Sequence, residues 1–274
     1  MKLSRREVVA NNVVLIAFSL FAVIPLVGVL LSSLTPSVEN SGGFSIPKSL
    51  VFSNYGDAWT QGSFGSYLMS SVIVTVAVVA LTAVLGIFAG FGFSRFRFRG
   101  SGILFGLIVI GMALPSEAFI IPLYFNLRDV GLTDSYWALI LPQTAQSLGF
   151  AVFWMRNQFR AFPLEIIEAA RLDGASDTRV LWQIMVPPMI SQIGTMLLLV
   201  MMWTWNEFLI PLVMIVSTSR KTAPLGLASF QGQHLTNYSL LSAAGVMVAI
   251  PVVLIYFSMQ KKFISGVAGG ISLR

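Results

Sequence analysis

Six stretches of this chain are too apolar to stand apart in water. Positions 13–32, 67–93, 102–124, 136–155, 189–216 and 240–259 each hold about the 20 residues that, at a helical rise of about 1.5 Å, cross a hydrocarbon core about 30 Å thick. In that medium every backbone N–H and C=O must find its partner inside the segment, which leaves the helix as the solution for isolated stretches of this length. The sequence therefore predicts an all-α integral membrane protein, one transmembrane domain over 1–274 with six transmembrane helices. Composition agrees: 10% of the residues are charged, against about 25% in ordinary soluble domains. The first run is longer than the 7–15 apolar residues of a signal peptide core, and no small-x-small cleavage site follows it. It is expected to be a retained span, kinked at Pro25, rather than a cleaved leader.

Details inside the runs carry further expectations. Gly86-x-x-x-Gly90 in the second span would let another helix approach closely. Pro115, Glu117 and Pro122 fall in the second half of the third. The fourth is expected to be broken near Pro142 and Gly149. The fifth is longer than a crossing needs and contains Trp203, Trp205, Asn206 and Glu207. Between the first two spans lies a long polar segment in which Asn54-Tyr55 and Trp59 suggest an element at the membrane surface. The sixth span is expected to end at Lys261-Lys262, leaving a short, flexible, Gly-rich tail at Ser265–Gly270.

Net charge is +6, but where the charges lie matters more than their sum. Six spans put both termini on one side. That side holds Lys2, Arg5, Arg6, Arg95, Arg97, Arg99, Arg156, Arg160, Arg171, Arg179, Lys261, Lys262 and Arg274, against Lys48, Arg128, Arg220 and Lys221 on the other. Thirteen against four places both termini in the cytoplasm by the positive-inside rule. The alternating Arg-Phe stretch 95–99 then reads as interfacial anchoring, and no nucleic-acid partner is expected. With no cysteine and one histidine, His234, the chain has no disulfide framework, no thiol catalyst, and neither a Cys-based nor a two-His metal motif; no metal or cofactor is expected on it. A Gly-x-x-x-x-Gly-Lys-Ser/Thr phosphate loop is also missing, so the chain is expected neither to bind nor to hydrolyse ATP, and no other enzyme motif is evident.

One interruption between spans is dense in charge of both signs. The loop 156–188, between spans four and five, contains Glu165 to Pro188. Pro163 suits the first turn of a helix, and Glu165 and Glu168 lie near the positive end of its dipole. That helix should stop at Gly174. Ser176 can cap a second helix, with Asp177 in its first turn and an apolar stripe of Val180, Leu181 and Ile184 ending at Pro187-Pro188. On the same charge count this helix-Gly-helix loop faces the cytoplasm, where it could dock a soluble partner; alternatively Glu168 simply pairs with Arg171 on its own helix.

Here the residues carry a resemblance. Glu168-Ala169-Ala170, three residues, Gly174, nine residues, Ile184, Met185, Val186 and Pro187 are similar to the loop motif of permease subunits of bacterial ABC importers, with Val186 where the family prefers Leu. Asn54-Tyr55, Gly131-Leu132-Thr133-Asp134-Ser135-Tyr136-Trp137, Trp205-Asn206-Glu207-Phe208 and Phe263-Ile264-Ser265-Gly266 extend the likeness over most of the chain. Together they resemble carbohydrate-importer permeases of the maltose-transporter type, the shorter of the two subunits.

The resemblance implies a permease domain in the bacterial cytoplasmic membrane that translocates a mono- or oligosaccharide. It implies a second homologous permease subunit, an ABC ATPase dimer carrying ATP and Mg, and an extracytoplasmic solute-binding protein. A non-sugar solute such as a glycerol-phosphate ester or a polyamine is the alternative. Glu168, Ala169, Ala170 and Gly174, with Ile184 and Pro187, are implied to be the coupling residues, and Arg171 and Asp173 offer rim charges. Asn206, Glu207, Glu117 and Trp203 are candidates for the substrate pathway, since carboxylates and amides hydrogen-bond hydroxyls and aromatic faces stack on sugar rings. Helix packing or gating is the competing reading of Trp205-Asn206-Glu207. The tail at 265–270 could also touch the ATPase.

Overall fold

The computed structural model describes residues 5–43, 46–231 and 236–268, with the side chains of Glu7, Ala10 and 261–268 outside that description. His234 lies outside it too. The described secondary structure is helical apart from one isolated bridge between Gln231 and Thr236. The chain divides into two compact units, Met1–Gly65 with Ala223–Ile250, and Ser66–Thr222 with Pro251–Arg274.

The first unit holds α1 (Arg5–Ser33), α2 (Ser53–Gln61) and the start of the last helix. α1 carries Pro25 and buries none of its most apolar window. The end of α1 is tied down by a polar knot. Asn40 Nδ2 donates to the Ser32 carbonyl at 3.1 Å and to the hydroxyls of Ser32 and Ser239, both at 2.9 Å. Asn54 Nδ2 donates to the carbonyls of Ser33 (2.9 Å) and Thr35 (3.0 Å), and the Tyr55 hydroxyl pairs with Ser33 Oγ at 2.7 Å. Asn54 thus closes the last carbonyl of α1, a group that a helix end leaves without an internal partner, together with the Thr35 carbonyl just beyond. Asn40→Ala leaves the Ser32 carbonyl and the Ser32 and Ser239 hydroxyls without this buried donor, and should lower stability by about 1–3 kcal/mol. Thermal unfolding of the detergent-solubilised protein measures this directly, and an unchanged midpoint would count against the knot.

The second unit is built on α3 (Phe64–Arg95), α4 (Ser101–Met112), α5 (Ile120–Asp129), α6 (Trp137–Ala161), α7 (Leu164–Leu172), α8 (Asp177–Arg179), α9 (Ile190–Asn206) and α10 (Leu209–Met214). α11 (Ala223–Gly226) and α12 (Tyr238–Ala268) complete the chain. The expected close approach at Gly86 and Gly90 is present: a Cβ there would lie 2.7 Å from Ala151 Cβ and 2.6 Å from Met155 Cβ, so α3 and α6 touch backbone to backbone. One core cluster gathers Ile87, Phe91, Met155, Phe159, Ile167, Leu181, Met185 and Met196; a second gathers Val74, Leu127, Leu139, Val200, Ile210 and Met214.

Among the described residues, five helices are long and apolar enough to cross a membrane, within Asn11–Ser33, Phe64–Arg95, Trp137–Ala161, Pro187–Asn206 and Tyr238–Gln260. A sixth crossing exists if Ser101–Met112 and Ser116–Asp129, bent by 96°, form one span. The helix over the expected third span, 102–124, is interrupted in its second half. Pro115 withholds an N–H and pushes Leu114 away from helical backbone, so α4 stops short of it and a 3₁₀ turn, Ser116–Phe119, begins after it.

The fourth span departs the other way. α6 runs unbroken through Pro142, which is buried, and through Gly149. The loop accordingly begins later than 156. The fifth span ends at Asn206 rather than 216, because Pro211 cannot accept a helix from upstream: its ring would meet the carbonyl of Glu207. Finally, α12 continues through Lys261-Lys262 to Ala268, so the part of the expected flexible tail at 265–268 is helical; no proline lies between 252 and 268 to stop it.

Candidate functional site

The segment Glu165–Pro188 grows directly out of α6. At its root, Arg95 at the end of α3 donates to the carbonyls of Phe159 and Phe162, placing a cation on the orphan carbonyls of the α6 C-terminus. Pro163, extended at ψ 129°, opens α7, with Glu165 in the first turn. Ile167 is 2% exposed and Ala170 packs beside it on the core formed by α3, α6 and α9. The other face presents Glu165, Glu168, Ala169 and Arg171 to the outside. Leu172, 89% exposed, stands among them, an apolar group that the chain itself leaves uncovered.

The turn that ends α7 depends on Gly174. Its φ is +80°, a region costly to side chains with a Cβ. Gly174 N–H donates to the Arg171 carbonyl at 3.0 Å and Ala175 N–H to the Ala170 carbonyl at 2.9 Å. This is the Schellman arrangement, with its apolar contact supplied by Ala170 and Ala175, both packed on the same core. No atom lies within 4 Å of a Cβ built on Gly174, so the requirement is conformational and not steric.

Beyond the turn, Ser176 Oγ accepts from Arg179 N–H at 3.4 Å, the expected cap. Arg171 Nη2 pairs with Asp177 Oδ1 at 2.7 Å across the bend. The pairing of Glu168 with Arg171 is thus corrected: Arg171 reaches over Gly174 to the second helix, and Glu168 makes no ion pair among the described residues. Both groups of the pair are about half exposed, so its contribution to stability is small.

The second helix is not the separate α-helix expected. After α8 the backbone widens into a π turn at Val180–Met185, with Val186 N–H on the Leu181 carbonyl at 2.9 Å, and passes through a 3₁₀ turn at Pro187–Met189 into α9. Pro187 and Pro188 have no N–H for the carbonyls four residues upstream, and the widened turn accommodates that loss. Val180, Leu181 and Met185 are buried, Ile184 packs against the same core, and Pro187 starts the short turn.

The second candidate group lies at the other end of α9, a helix of 17 residues. That length places Asn206 about 25 Å from the start of α9 at Ile190, where the Glu165–Pro188 segment joins it. Asn206 is exposed and its amide donates to the Met202 carbonyl of its own helix at 2.8 Å. Trp203, half exposed, meets Phe150 edge to face at 4.9 Å. Glu207 Oε1 accepts from Ile210 N–H at 3.0 Å, capping α10 across the two-residue break. Glu117 sits exposed in the 3₁₀ turn at the 96° bend and not within a continuous helix. Glu207→Gln keeps an oxygen for Ile210 N–H and should leave the unfolding midpoint unchanged. Glu207→Leu removes the acceptor and should cost about 1 kcal/mol, read by thermal unfolding.

Asp134 did not stand out in the sequence except as part of a matched motif. It adopts φ +53°, and its N–H donates to the Met214 carbonyl at 2.9 Å. Its carboxylate accepts from the Val216 (3.1 Å) and Ser217 (2.9 Å) N–H groups, from Ser217 Oγ, and from Arg220 Nη1 at 3.2 Å. The hydrogen bonds from Ser217, with that from Val216 and the Arg220 charge, hold this carboxyl below the usual range. It therefore stays ionised at neutral pH.

Residues 82–268 match the family described as "Binding-protein-dependent transport system inner membrane component". The diacetylchitobiose uptake system permease protein NgcG of Streptomyces coelicolor is 31% identical over 97% of this chain and 89% of its own length. The arabinooligosaccharides transport system permease protein AraQ of Bacillus subtilis is 32% identical over 96% of this chain and 94% of its own. Among solved structures, a chain of a bacterial ABC transporter involved in the import of the acidic polysaccharide alginate superposes with a TM-score of 0.82 at 24% identity, covering 96% of this chain and 99% of that one, a likeness of fold. With a family match across two thirds of its length and permease relatives along nearly all of it, the chain belongs to the inner membrane components of binding-protein-dependent transport systems.

Proposed function

We propose that this chain is the permease subunit of an ATP-driven ABC importer for a sugar, with Glu165–Pro188 as the port through which a partner ATPase drives it. The observation that carries the reading is the two-faced build of α7. Ile167 and Ala170 are embedded in the core shared with α3, α6 and α9, while Glu168, Ala169, Arg171 and Leu172 face outward on the same short helix. A push on the outer face is transmitted to three spans because a close-packed interior does not absorb displacement. Glu168 can pair with a basic group of the ATPase, Ala169 permits close approach, Arg171 and Asp173 supply rim charges, and Gly174 sets the angle between the two arms.

On this reading the bent pair counts as the third of six spans of one permease domain, and both termini and the docking segment face the cytoplasm, as the distribution of Lys and Arg favours. A second homologous permease subunit would complete the path. An ATPase dimer would hold the ATP and Mg, and a solute-binding protein would deliver substrate from outside. The sugar assignment is supported by the oligosaccharide systems named for the relatives. Asn206, Trp203 and the second oxygen of Glu207 would border the path near the α9–α10 break, with Glu117 at the bend of the third span.

Co-purification from the native membrane, followed by a screen of mono- and oligosaccharides against the associated binding protein and uptake into proteoliposomes, tests the reading. Uptake that requires ATP and a bound sugar is expected. Uptake without ATP, or a binding protein that takes only a polyamine or a glycerol-phosphate ester, would overturn it.

A further inference from the structure

α6 and α9 run in opposite senses between two ends of the second unit. At one end they are joined through α7 and the π turn, and a displacement of Glu165–Pro188 reaches both. At the other end the chain leaves α9 by a two-residue break and enters α10, six residues long. Apolar contact there brings Ile210, Met214 and Ile215 against Leu127, Ala138, Leu139 and Ile140. Such contact holds α10 in place but is non-directional and specifies no hydrogen-bond register. Direction comes from Asp134. Its backbone N–H takes the Met214 carbonyl at the end of α10, its carboxylate takes two consecutive N–H groups just beyond, and Arg220 closes back on its carbonyl and carboxylate. A carboxylate receiving adjacent backbone donors fixes register as well as distance. The left-handed backbone of Asp134, tolerated by Asp better than by most residues, turns both its amide and its side chain toward the same strand of chain.

We propose that Asp134 is a positioning residue for translocation, pinning α10 and the Glu207-Phe208 break to the start of α6 so that α6, α9 and α10 move as one body when Glu165–Pro188 is displaced. The proposal rests on the ATP-driven reading above. Without the pin, α5, α6, α9 and α10 keep their apolar contact at this end, but α10 loses the hydrogen bonds that fix its register on the start of α6.

The chain has no cysteine, so a pair of spin labels can be placed without background. Val130→Cys at the end of α5 and Leu212→Cys on α10 are suitable, being 67% and 50% exposed. Distances would be recorded by double electron–electron resonance on the complex with its ATPase subunits in lipid nanodiscs, without nucleotide and after trapping with ATP and vanadate. With Asp134 present, one narrow distance common to both states is expected. Asp134→Ala should give a distribution about twofold wider that shifts on trapping, with ATP hydrolysis kept within about twofold. Asp134→Asn, whose amide oxygen still accepts from the backbone, should fall between. Wild-type widths in both variants, or in Asp134→Asn alone if Asp134→Ala does not accumulate, would overturn the pin. ATP hydrolysis by the complex with Asp134 intact is measured in parallel. Its absence would sink the ATP-driven reading, while the widths without nucleotide still decide the pin.

Discussion

Gly174→Val should leave the subunit in the membrane at normal abundance and lower ATP-driven uptake by more than about tenfold, equivalent to about 1.4 kcal/mol of lost coupling. The two halves of that expectation have separate causes. Abundance survives because a Cβ at this position meets no atom within 4 Å, and Gly174 is exposed on a turn outside the core. Coupling fails because φ +80° costs a β-branched residue at least the 1–2 kcal/mol of ordinary left-handed backbone. Relief of that strain undoes the pair of hydrogen bonds onto Arg171 and Ala170 and separates Arg171 from Asp177. The outward face of α7 then no longer holds a fixed angle to the second arm. ATP hydrolysis in the assembled complex should persist while uptake falls. Gly174→Asn separates conformation from bulk: asparagine tolerates the left-handed region, and near-normal uptake is expected. If the valine and asparagine variants both transport at the wild-type rate, the turn has no coupling role.

Gly90→Leu should act at the opposite extreme, on the existence of the fold. A Cβ at Gly90 would stand 2.6 Å from Met155 Cβ and 3.0 Å from the Arg156 nitrogen, and the second of these is backbone that no rotamer change can move. α3 would have to withdraw from α6 along the line that also holds Ile87, Phe91, Met155 and Phe159. Overpacking a finished core costs about 1–3 kcal/mol, and parting two backbones belongs at or above the top of that range. Loss of the subunit from the membrane fraction is expected, or a clearly lower unfolding temperature for what remains. Gly92→Ala, where a Cβ meets nothing within 4 Å, provides the control and should be silent. A Gly90→Leu protein of normal abundance and stability would mean that α3 and α6 are not packed as described.

These two glycines also show what could be read before any fold was known. Gly86-x-x-x-Gly90 lies within one helix, and four-residue spacing alone puts both on one face, so close approach was legible although the partner, α6, was not. Gly174 was legible for a similar reason: a helix stop, a cap at Ser176 and an acidic first turn are all local signals. The bend in the third span was not legible because hydropathy sums composition over a window and is blind to backbone direction, whereas Pro115 acts on a single peptide. The fourth was misjudged in reverse. Pro142 was expected to break α6, yet it lies buried within a continuous helix.

Sequence by itself determined the solvent of this protein, its helical class, the close-packing glycines and the two-armed segment at Glu165–Pro188, because each follows from residue types within a helix turn or a membrane thickness. Local backbone geometry, the Gly174 turn and the Glu207-Phe208 break, decided that Arg171 joins Asp177 rather than Glu168 and that Glu207 caps α10, while tertiary structure alone decided that Asp134 grips residues 82 to 86 positions further along the chain. Hydrogen bonds of that reach have no periodicity for a sequence to display. Their partners are chosen only when apolar packing has brought distant segments together, which is why Asp134 looked like one more loop carboxylate until the fold placed α10 beside it.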